Sequence, residues 1–160
     1  MARGNVHDLL EQQDEIVKRR VQFVLSPKLW KSYSDRRIKS WRTVKLRPIR
    51  RSLVPQKSGI YTLLVQPRIA RHTHCSYLMY VGKAVNLKKR FGEYLNAERR
   101  ENGRPYIYRL LNVYDSYVWF AFAYVPKAQL NILENRLIAA HLPPCNDMLP
   151  AKIRKAAKAF

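Results

Sequence analysis

One nine-residue run constrains the fold of this chain more than any other segment. Residues 117–125, YVWFAFAYV, are apolar at both odd and even positions. Successive side chains of a β-strand point to opposite faces of a sheet, so a strand of this kind is covered on both sides. We therefore predict a central strand over residues 117–125.

The neighbouring segments predict two more strands and three helices. Residues 59–66 and 76–82 have the pattern of strands, joined by a polar loop that contains histidines. The Tyr and Ile content of residues 105–113 leaves a strand as the alternative to the helix predicted there. The predicted helices cover residues 86–96, capped by Asn86, residues 105–113, and residues 128–141. Pro143 and Pro144 end the last of these helices.

The first 57 residues have a different pattern, which predicts a basic, helical N-terminal arm. Apolar residues at a loosely helical spacing predict a helix over residues 7–25, and Ser26-Pro27 is typical of the start of a second, short helix. Basic residues then alternate with Trp30, Tyr33 and Trp41. These rings either stack on nucleic-acid bases or pack the arm onto the rest of the protein. The predicted organisation is this arm, a domain over residues 58–147, and a basic tail over residues 148–160.

The charge of the chain points to a polyanionic partner. Its 31 Lys and Arg residues and 11 Asp and Glu residues give a net charge of +20. Nucleic acid is the commonest partner of such a surface, and an anionic membrane is the competing one. No run is long and apolar enough to span a bilayer, and no signal peptide is evident, so we expect no membrane association. Two widely separated cysteines suit a reduced, cytoplasmic protein.

One acidic residue lies where a helix should be apolar. On a helical wheel of residues 128–141, Leu133 and Leu137 belong to an apolar stripe, and Glu134 lies in the middle of that stripe. A buried carboxylate is costly unless something compensates its charge. The compensating group is either an Arg from a neighbouring element or a divalent cation, and magnesium often takes one or two protein carboxylates.

The helix predicted over residues 86–96 offers a phosphate-binding group. Leu87 and Phe91 lie on its buried face, and Arg90 and Tyr94 lie one turn apart along the margin of that face. A guanidinium can grip two phosphate oxygens at once, so Arg90 is a candidate for contact with a phosphodiester.

These residues occur in an order that resembles a known family. Gly59-Ile60-Tyr61, Tyr80-Val81-Gly82, Arg90, Glu134 and Asn146 are similar to the signature of the GIY-YIG nucleases. The runs YVGKAVNLKKRFGEYL and LENRLIAAHLPPCN are especially similar to the N-terminal nuclease domain of the bacterial excision-repair nuclease. The resemblance covers about residues 58–147.

The resemblance implies a small α/β domain with a three-stranded antiparallel sheet flanked by helices, and a metal-dependent endonuclease that acts on DNA. It implies one Mg²⁺ or Mn²⁺ ion bound by Glu134, with Arg90 neutralising the phosphate. Tyr61 or Tyr80 would be the general base, and neighbouring cations such as Lys83 would stabilise a phenolate. Tyr94 would be a further catalytic residue, hydrogen-bonded in the same cluster. The supporting residues would be Gly59, Gly82 (which would allow a tight turn), Asn86, and Asn146, which would fix the loop after the Glu134 helix.

The segment between the two tyrosines is longer than is usual in the family. Some restriction enzymes of the family have enlarged connectors, so residues 66–76 favour sequence-specific cutting. A zinc site formed by His72, His74, Cys75 and Cys145 fits no standard zinc module. The expected partner is double-stranded DNA, with a homodimer possible. The expected nucleic-acid contacts are Lys28, Lys31, Arg36, Arg37, Lys39, Arg42, Lys88 and Lys89.

Two alternatives stay open at the level of sequence. A non-catalytic nucleic-acid-binding protein could keep the fold and the charge. It would be expected to lose the costly carboxylate at Glu134, which is present here. A nuclease directed at RNA is the second alternative, and a comparison of cleavage of DNA and RNA would distinguish it.

Overall fold

A computed structural model of the chain describes residues 13–17, 19–33, 37–67, 75–96 and 105–146. In these residues, one antiparallel sheet carries helices on both faces, with the strand order β1-β4-β2-β3. The strands are β1 (Arg42–Lys45), β2 (Gly59–Val65), β3 (Tyr77–Ala84) and β4 (Val118–Tyr124). The helices are α1 (Pro27–Ser32), α2 (Leu87–Leu95), α3 (Pro105–Tyr114) and α4 (Leu130–His141), with 3-10 turns at Pro48–Leu53, Asp115–Tyr117 and Lys127–Gln129.

Strand β4 is the central strand that its apolar pattern predicts. It pairs with β1 on one side and with β2 on the other. Phe120 and Phe122 are almost fully buried and pack in one cluster with Phe91 of α2. On the opposite face, Ile60 packs with Leu133 of α4 in a second cluster. The predicted α/β class is therefore confirmed.

The sheet has four strands, so the prediction of three was wrong. The additional strand, β1, lies in the predicted helical arm and pairs with β4 in the register Arg42↔Phe122 to Lys45↔Trp119. Strand β1 has four residues with a cation at each end, which is typical of an edge strand that avoids pairing with other chains. The same features leave little strand pattern in the sequence. Leu46 and Val54, just after it, are buried in the core. The second half of the arm is thus built into the folded domain.

The helix predicted over residues 7–25 ends earlier than expected. Residues 13–17 and 19 are helical, whereas the chain is not helical from Arg20 to Ser26; residues 1–12 and 18 lie outside the described part. Val21 and Phe23 pack against the core while the residues between and after them are exposed. The hydroxyl of Tyr114 donates to the carbonyl oxygen of Arg19 at 2.8 Å, which holds this segment on α3.

The short second helix forms as Ser26-Pro27 predicts. The Ser26 hydroxyl accepts a hydrogen bond from the Leu29 amide at 3.5 Å, and Pro27 is the first helical residue. Tyr33, just after α1, packs edge-on against His141 of α4 at 5.9 Å between ring centroids. Of the three arm aromatics, Tyr33 therefore packs onto the domain, whereas Trp30 and Trp41 are exposed. None of the described helices combines the length and the apolar character needed to span a membrane.

Candidate active site

Three tyrosines meet on the α2 side of the sheet. The hydroxyl oxygens of Tyr61 on β2 and Tyr94 on α2 are 2.7 Å apart. The ring of Tyr80 on β3 lies 6.1 Å from that of Tyr61, and Phe120 stacks on Tyr61 at 5.0 Å. All three tyrosines are buried. The sequence predicts Tyr94 in this cluster, and its hydrogen bond to Tyr61 is present.

Gly82 makes room for two of these rings. A Cβ atom at this position would lie 2.5 Å from the Tyr61 hydroxyl and 2.7 Å from the ring of Tyr80. Gly82 pairs with Tyr61 inside the sheet, and no described glycine has a positive φ. The expectation that Gly82 allows a tight turn was therefore wrong. Glycine is required at this position because a side chain would collide with the two rings, and not because the backbone needs extra freedom.

Burial keeps the Tyr61 hydroxyl protonated. Desolvation raises the pKa of Tyr61 well above its usual value of 10.0, and the neighbouring Tyr94 and Tyr80 raise it further. The charge of Arg90 acts in the opposite direction but does not reverse the shift. The charge of Arg90 alone therefore does not favour the Tyr61 phenolate at physiological pH.

Arg90 is half-exposed beside the tyrosines. It forms an ion pair with Glu93, one turn later on α2, at 2.7 Å. Its charge also acts on Tyr61, which places the two groups near each other. Because the pair with Glu93 is solvent-exposed, it is weak, and the guanidinium can exchange this partner for another anion.

The second part of the site lies on the other face of β3. Glu134 of α4 forms a charge-assisted hydrogen bond with the ammonium group of Lys83 on β3. The Glu134 side chain is only 14% exposed, although Lys83 is 40% exposed. The cationic side chain that compensates the carboxylate on the apolar stripe is thus a lysine from a neighbouring strand, and not the arginine named as one alternative.

Strand β3 joins the two parts. Gly82 pairs with Tyr61 and faces the tyrosines, whereas Lys83 pairs with Ile60 and faces α4. The Asn146 side chain binds both the amide and the carbonyl group of Val81 in this strand. Its oxygen accepts from the Val81 amide at 2.9 Å, and its nitrogen donates to the Val81 carbonyl at 2.8 Å. The geometry fits the predicted loop-fixing role of Asn146.

The other predicted supporting residues position α2 and β2. The Asn86 side chain accepts from the Lys89 amide at 2.9 Å and caps α2, as its position in the sequence predicts. At Gly59 a Cβ atom would lie 2.2 Å from the Ala123 carbonyl oxygen and 2.8 Å from the Leu87 side chain. Gly59 therefore allows β2, β4 and α2 to approach closely.

The predicted nucleic-acid contacts lie on several elements. Lys88 and Lys89 are on α2, and Arg42 is on β1. Lys28, Lys31, Arg37 and Lys39 of the arm are exposed. Arg36 lies outside the described residues, as do His72 and His74 of the connector.

Sequence patterns did not indicate three further residues that lie near the predicted contacts Arg42 and Lys88, namely Lys57, Arg51 and Tyr124. The Arg42 guanidinium and the Lys57 ammonium lie 5.7 and 5.5 Å from the ring centroid of Tyr124. The Arg51 guanidinium lies against Gly92 of α2, 3.1 Å from where a Cβ atom would be. These contacts join residues that are distant in the chain, so no local pattern could reveal them.

Comparisons with known proteins give one kind of match. No protein-family model and no curated protein matches the sequence. The chain is similar to crystal structures of the GIY-YIG N-terminal endonuclease domain of UvrC from Thermotoga maritima. The magnesium-bound form has 22% identity and a TM-score of 0.42, covering 61% of this chain and 92% of that chain. A point mutant bound to the catalytic divalent cation has 21% identity and a TM-score of 0.43, covering 62% and 93%.

Proposed function

We propose that this protein is a metal-dependent endonuclease of the GIY-YIG type that hydrolyses phosphodiester bonds in DNA. The observation that carries the proposal is the nearly buried carboxylate of Glu134, which packs on an apolar helix face and reaches only as far as the Lys83 ammonium. The desolvation cost of such a carboxylate can exceed what one half-exposed ammonium group returns, so its presence is best explained by a functional role. The net charge of +20 supports a polyanionic substrate.

The chemistry of the site suits a hard divalent cation. In the described part of the chain, no three His, Cys, Asp or Glu side chains cluster to form a metal cage. Magnesium is commonly held by one or two carboxylates, with water and substrate phosphate completing its shell. Glu134 would hold one magnesium or manganese ion, which when bound supplies charge neutralisation at the phosphate and the leaving oxygen.

The remaining roles follow from the positions of the side chains. Arg90 exchanges its exposed pair with Glu93 for a phosphate oxygen. The Tyr61 hydroxyl is already hydrogen-bonded to Tyr94, and burial raises its pKa, so Tyr61 is better suited to orienting groups than to accepting a proton. We therefore assign the general base to Tyr80, whose ring lies beside Tyr61. Lys83 compensates the charge of Glu134 from the neighbouring strand β3.

Two finer features of the activity rest on the sequence. The long connector over residues 66–76 supports cutting at preferred sequences. Each chain has one set of these catalytic residues, so cutting both strands of a duplex requires two chains or two successive nicks.

The experiment is incubation of the full chain with supercoiled plasmid, in magnesium and in excess chelator. We expect nicked and then linear plasmid in magnesium and intact plasmid in chelator. Mapping of the ends distinguishes scattered from preferred sites, and duplex RNA in parallel tests the RNA alternative. Intact plasmid under both conditions, with DNA still bound, would favour a non-catalytic DNA-binding protein.

A further inference from the structure

A line of cations runs along α2 on the side away from Arg90. Arg42 and Lys57 lie within 6 Å of the ring centroid of one tyrosine, Tyr124. Lys88 follows on the first turn of α2, and Arg51 lies against Gly92 one turn later. We refer to Arg42, Lys57, Lys88 and Arg51 as the cationic stripe.

The backbone beneath the stripe is firmly held. The carbonyl oxygen of Lys57 accepts from the Leu87 amide at 2.9 Å, and that of Pro55 accepts from the Lys88 amide at 3.1 Å. Ser58 is bound to Val125 twice, through its hydroxyl and through its carbonyl oxygen. The segment before β2 is thus fixed both to α2 and to the end of β4, which holds the backbone of Lys57 at a set distance from that of Lys88.

The stripe has no acidic counterpart in the described part of the chain. None of its four members forms an ion pair there, in contrast to Arg47, which pairs with Asp115 at 3.3 Å. Four cations arranged along one surface repel each other unless a polyanion is present. Tyr124 is 41% exposed and holds two of them through cation–π contacts, which leave the cations accessible to anions.

The stripe also has a defined position relative to the candidate active site. At 100° per residue, Lys88 and Gly92 lie on one margin of α2, whereas Arg90 and Tyr94 lie on the other. The two margins are separated by the width of one helix, about 10 Å. A backbone bound along the stripe therefore passes close to Arg90 without occupying its site.

We propose that the cationic stripe binds the phosphodiester backbone of duplex DNA outside the scissile position, with Tyr124 holding Arg42 and Lys57 at a fixed spacing. This inference rests on the proposed function for the identity of its partner. It adds Lys57, Arg51 and Tyr124 to the DNA-binding residues. It also places a DNA contact on the folded domain, along the helix that carries Arg90.

The test is binding of the full chain to a fluorescent duplex in excess chelator, which prevents cleavage, over a range of salt concentrations. Each phosphate neutralised on duplex DNA contributes about 0.9 to the slope of log affinity against log salt. We expect Arg42→Gln and Lys57→Gln each to reduce that slope by about this amount. The matched control is Lys45→Gln, which removes a cation on the opposite face of the same strand.

Tyr124 provides a second readout that charge alone would not move. Tyr124→Ala keeps the net charge but removes the ring, so we expect severalfold weaker binding. Tyr124→Phe keeps the ring and should bind like the wild type. Circular dichroism verifies that each variant is folded.

The inference is overturned if Arg42→Gln and Lys57→Gln change the slope no more than Lys45→Gln does, or if Tyr124→Ala binds like the wild type. Effects on duplex RNA and not on DNA would overturn the assignment of DNA. Stripe-dependent binding without cleavage in magnesium would contradict the proposed function and leave this inference standing. Cleavage in magnesium, together with DNA binding that none of the stripe variants weakens, would support the proposed function and overturn this inference.

Discussion

The hydroxyl oxygens of Tyr61 and Tyr94 lie 2.7 Å apart inside the core and join strand β2 to the last turn of α2. This one hydrogen bond fixes both side chains. It also fixes the part of α2 that carries Arg90, one turn before Tyr94. The raised pKa of Tyr61 keeps its own hydroxyl protonated at physiological pH, so this phenol is neutral in the hydrogen bond.

Substitution of the tyrosines should separate the general base from its neighbours. We expect Tyr80→Phe to reduce the single-turnover cleavage rate at least about a hundredfold, the usual scale for loss of a general base. Tyr61→Phe and Tyr94→Phe should cost less, and the double variant little more than either, because both remove the same hydrogen bond. A larger loss from Tyr61→Phe than from Tyr80→Phe would reassign the base to Tyr61.

Gly82 and Gly92 form a matched pair for testing the packing of the tyrosines. Gly82→Ala places a Cβ 2.5 Å from the Tyr61 hydroxyl, so we expect a loss of about 1–3 kcal/mol in the free energy of unfolding, together with slower cleavage. Gly92→Ala meets only the end of the flexible Arg51 side chain, at 3.1 Å, and should change stability little. Denaturant unfolding compares the two, and equal effects would contradict the proposed role of Gly82.

Truncation tests whether the second half of the arm belongs to the domain. Removal of residues 1–51 deletes β1 and the buried Leu46, and it leaves β4 as a bare edge. We expect that protein to lose cooperative thermal unfolding, whereas removal of residues 1–16 should preserve it. Circular dichroism during heating distinguishes the two. A 1–51 truncation that melts like the full chain would show that the arm is separable.

His141 should make the protein less stable in mild acid. Burial lowers the pKa of His141 below its usual 6.5, so the unfolded chain binds a proton at this site more readily than the folded protein does. The contribution of His141 to stability is therefore fully present above about pH 6.5 and is lost as the pH falls below it. We expect His141→Gln to reduce the fall in melting temperature between pH 7.5 and pH 5.5. An unchanged pH dependence would contradict this assignment.

Local signals in the sequence predicted much of the fold. Strand β4 follows from its two apolar faces, and α2 follows from the Asn86 cap and its spaced apolar residues. Strand β1 could not be predicted in this way, because the four residues RTVK carry cations and gain their stability from pairing with a strand more than 70 residues away. The N-terminal helix was predicted to end too late because Val21 and Val24 imitate a helical spacing.

The residues of the site could be predicted from the sequence, but the contacts between them could not. Glu134 was identified as a misplaced carboxylate, yet its partner Lys83 is 51 residues away. The packing of the Tyr61 and Tyr80 rings over Gly82 likewise depends on the pairing of β2 with β3. Such relationships arise from register and helix docking, which have no local signal.

Glu134→Gln should leave the protein folded and able to bind DNA. The Lys83 side chain is 40% exposed, so water can solvate its ammonium when the carboxylate is removed. Removal of the nearly buried carboxylate also relieves its desolvation cost, so the melting temperature should stay the same or rise. Asp115→Asn is the control, because it breaks an exposed pair with Arg47 elsewhere on the protein.

The decisive measurement is single-turnover cleavage of end-labelled duplex DNA in magnesium, with enzyme in excess, for the wild type, Glu134→Gln and Asp115→Asn. We expect the wild type and Asp115→Asn to cut at similar rates and Glu134→Gln to give no detectable product while it still binds the duplex. Cleavage by Glu134→Gln at the wild-type rate would contradict the assignment of Glu134 as the metal-binding carboxylate of a nuclease.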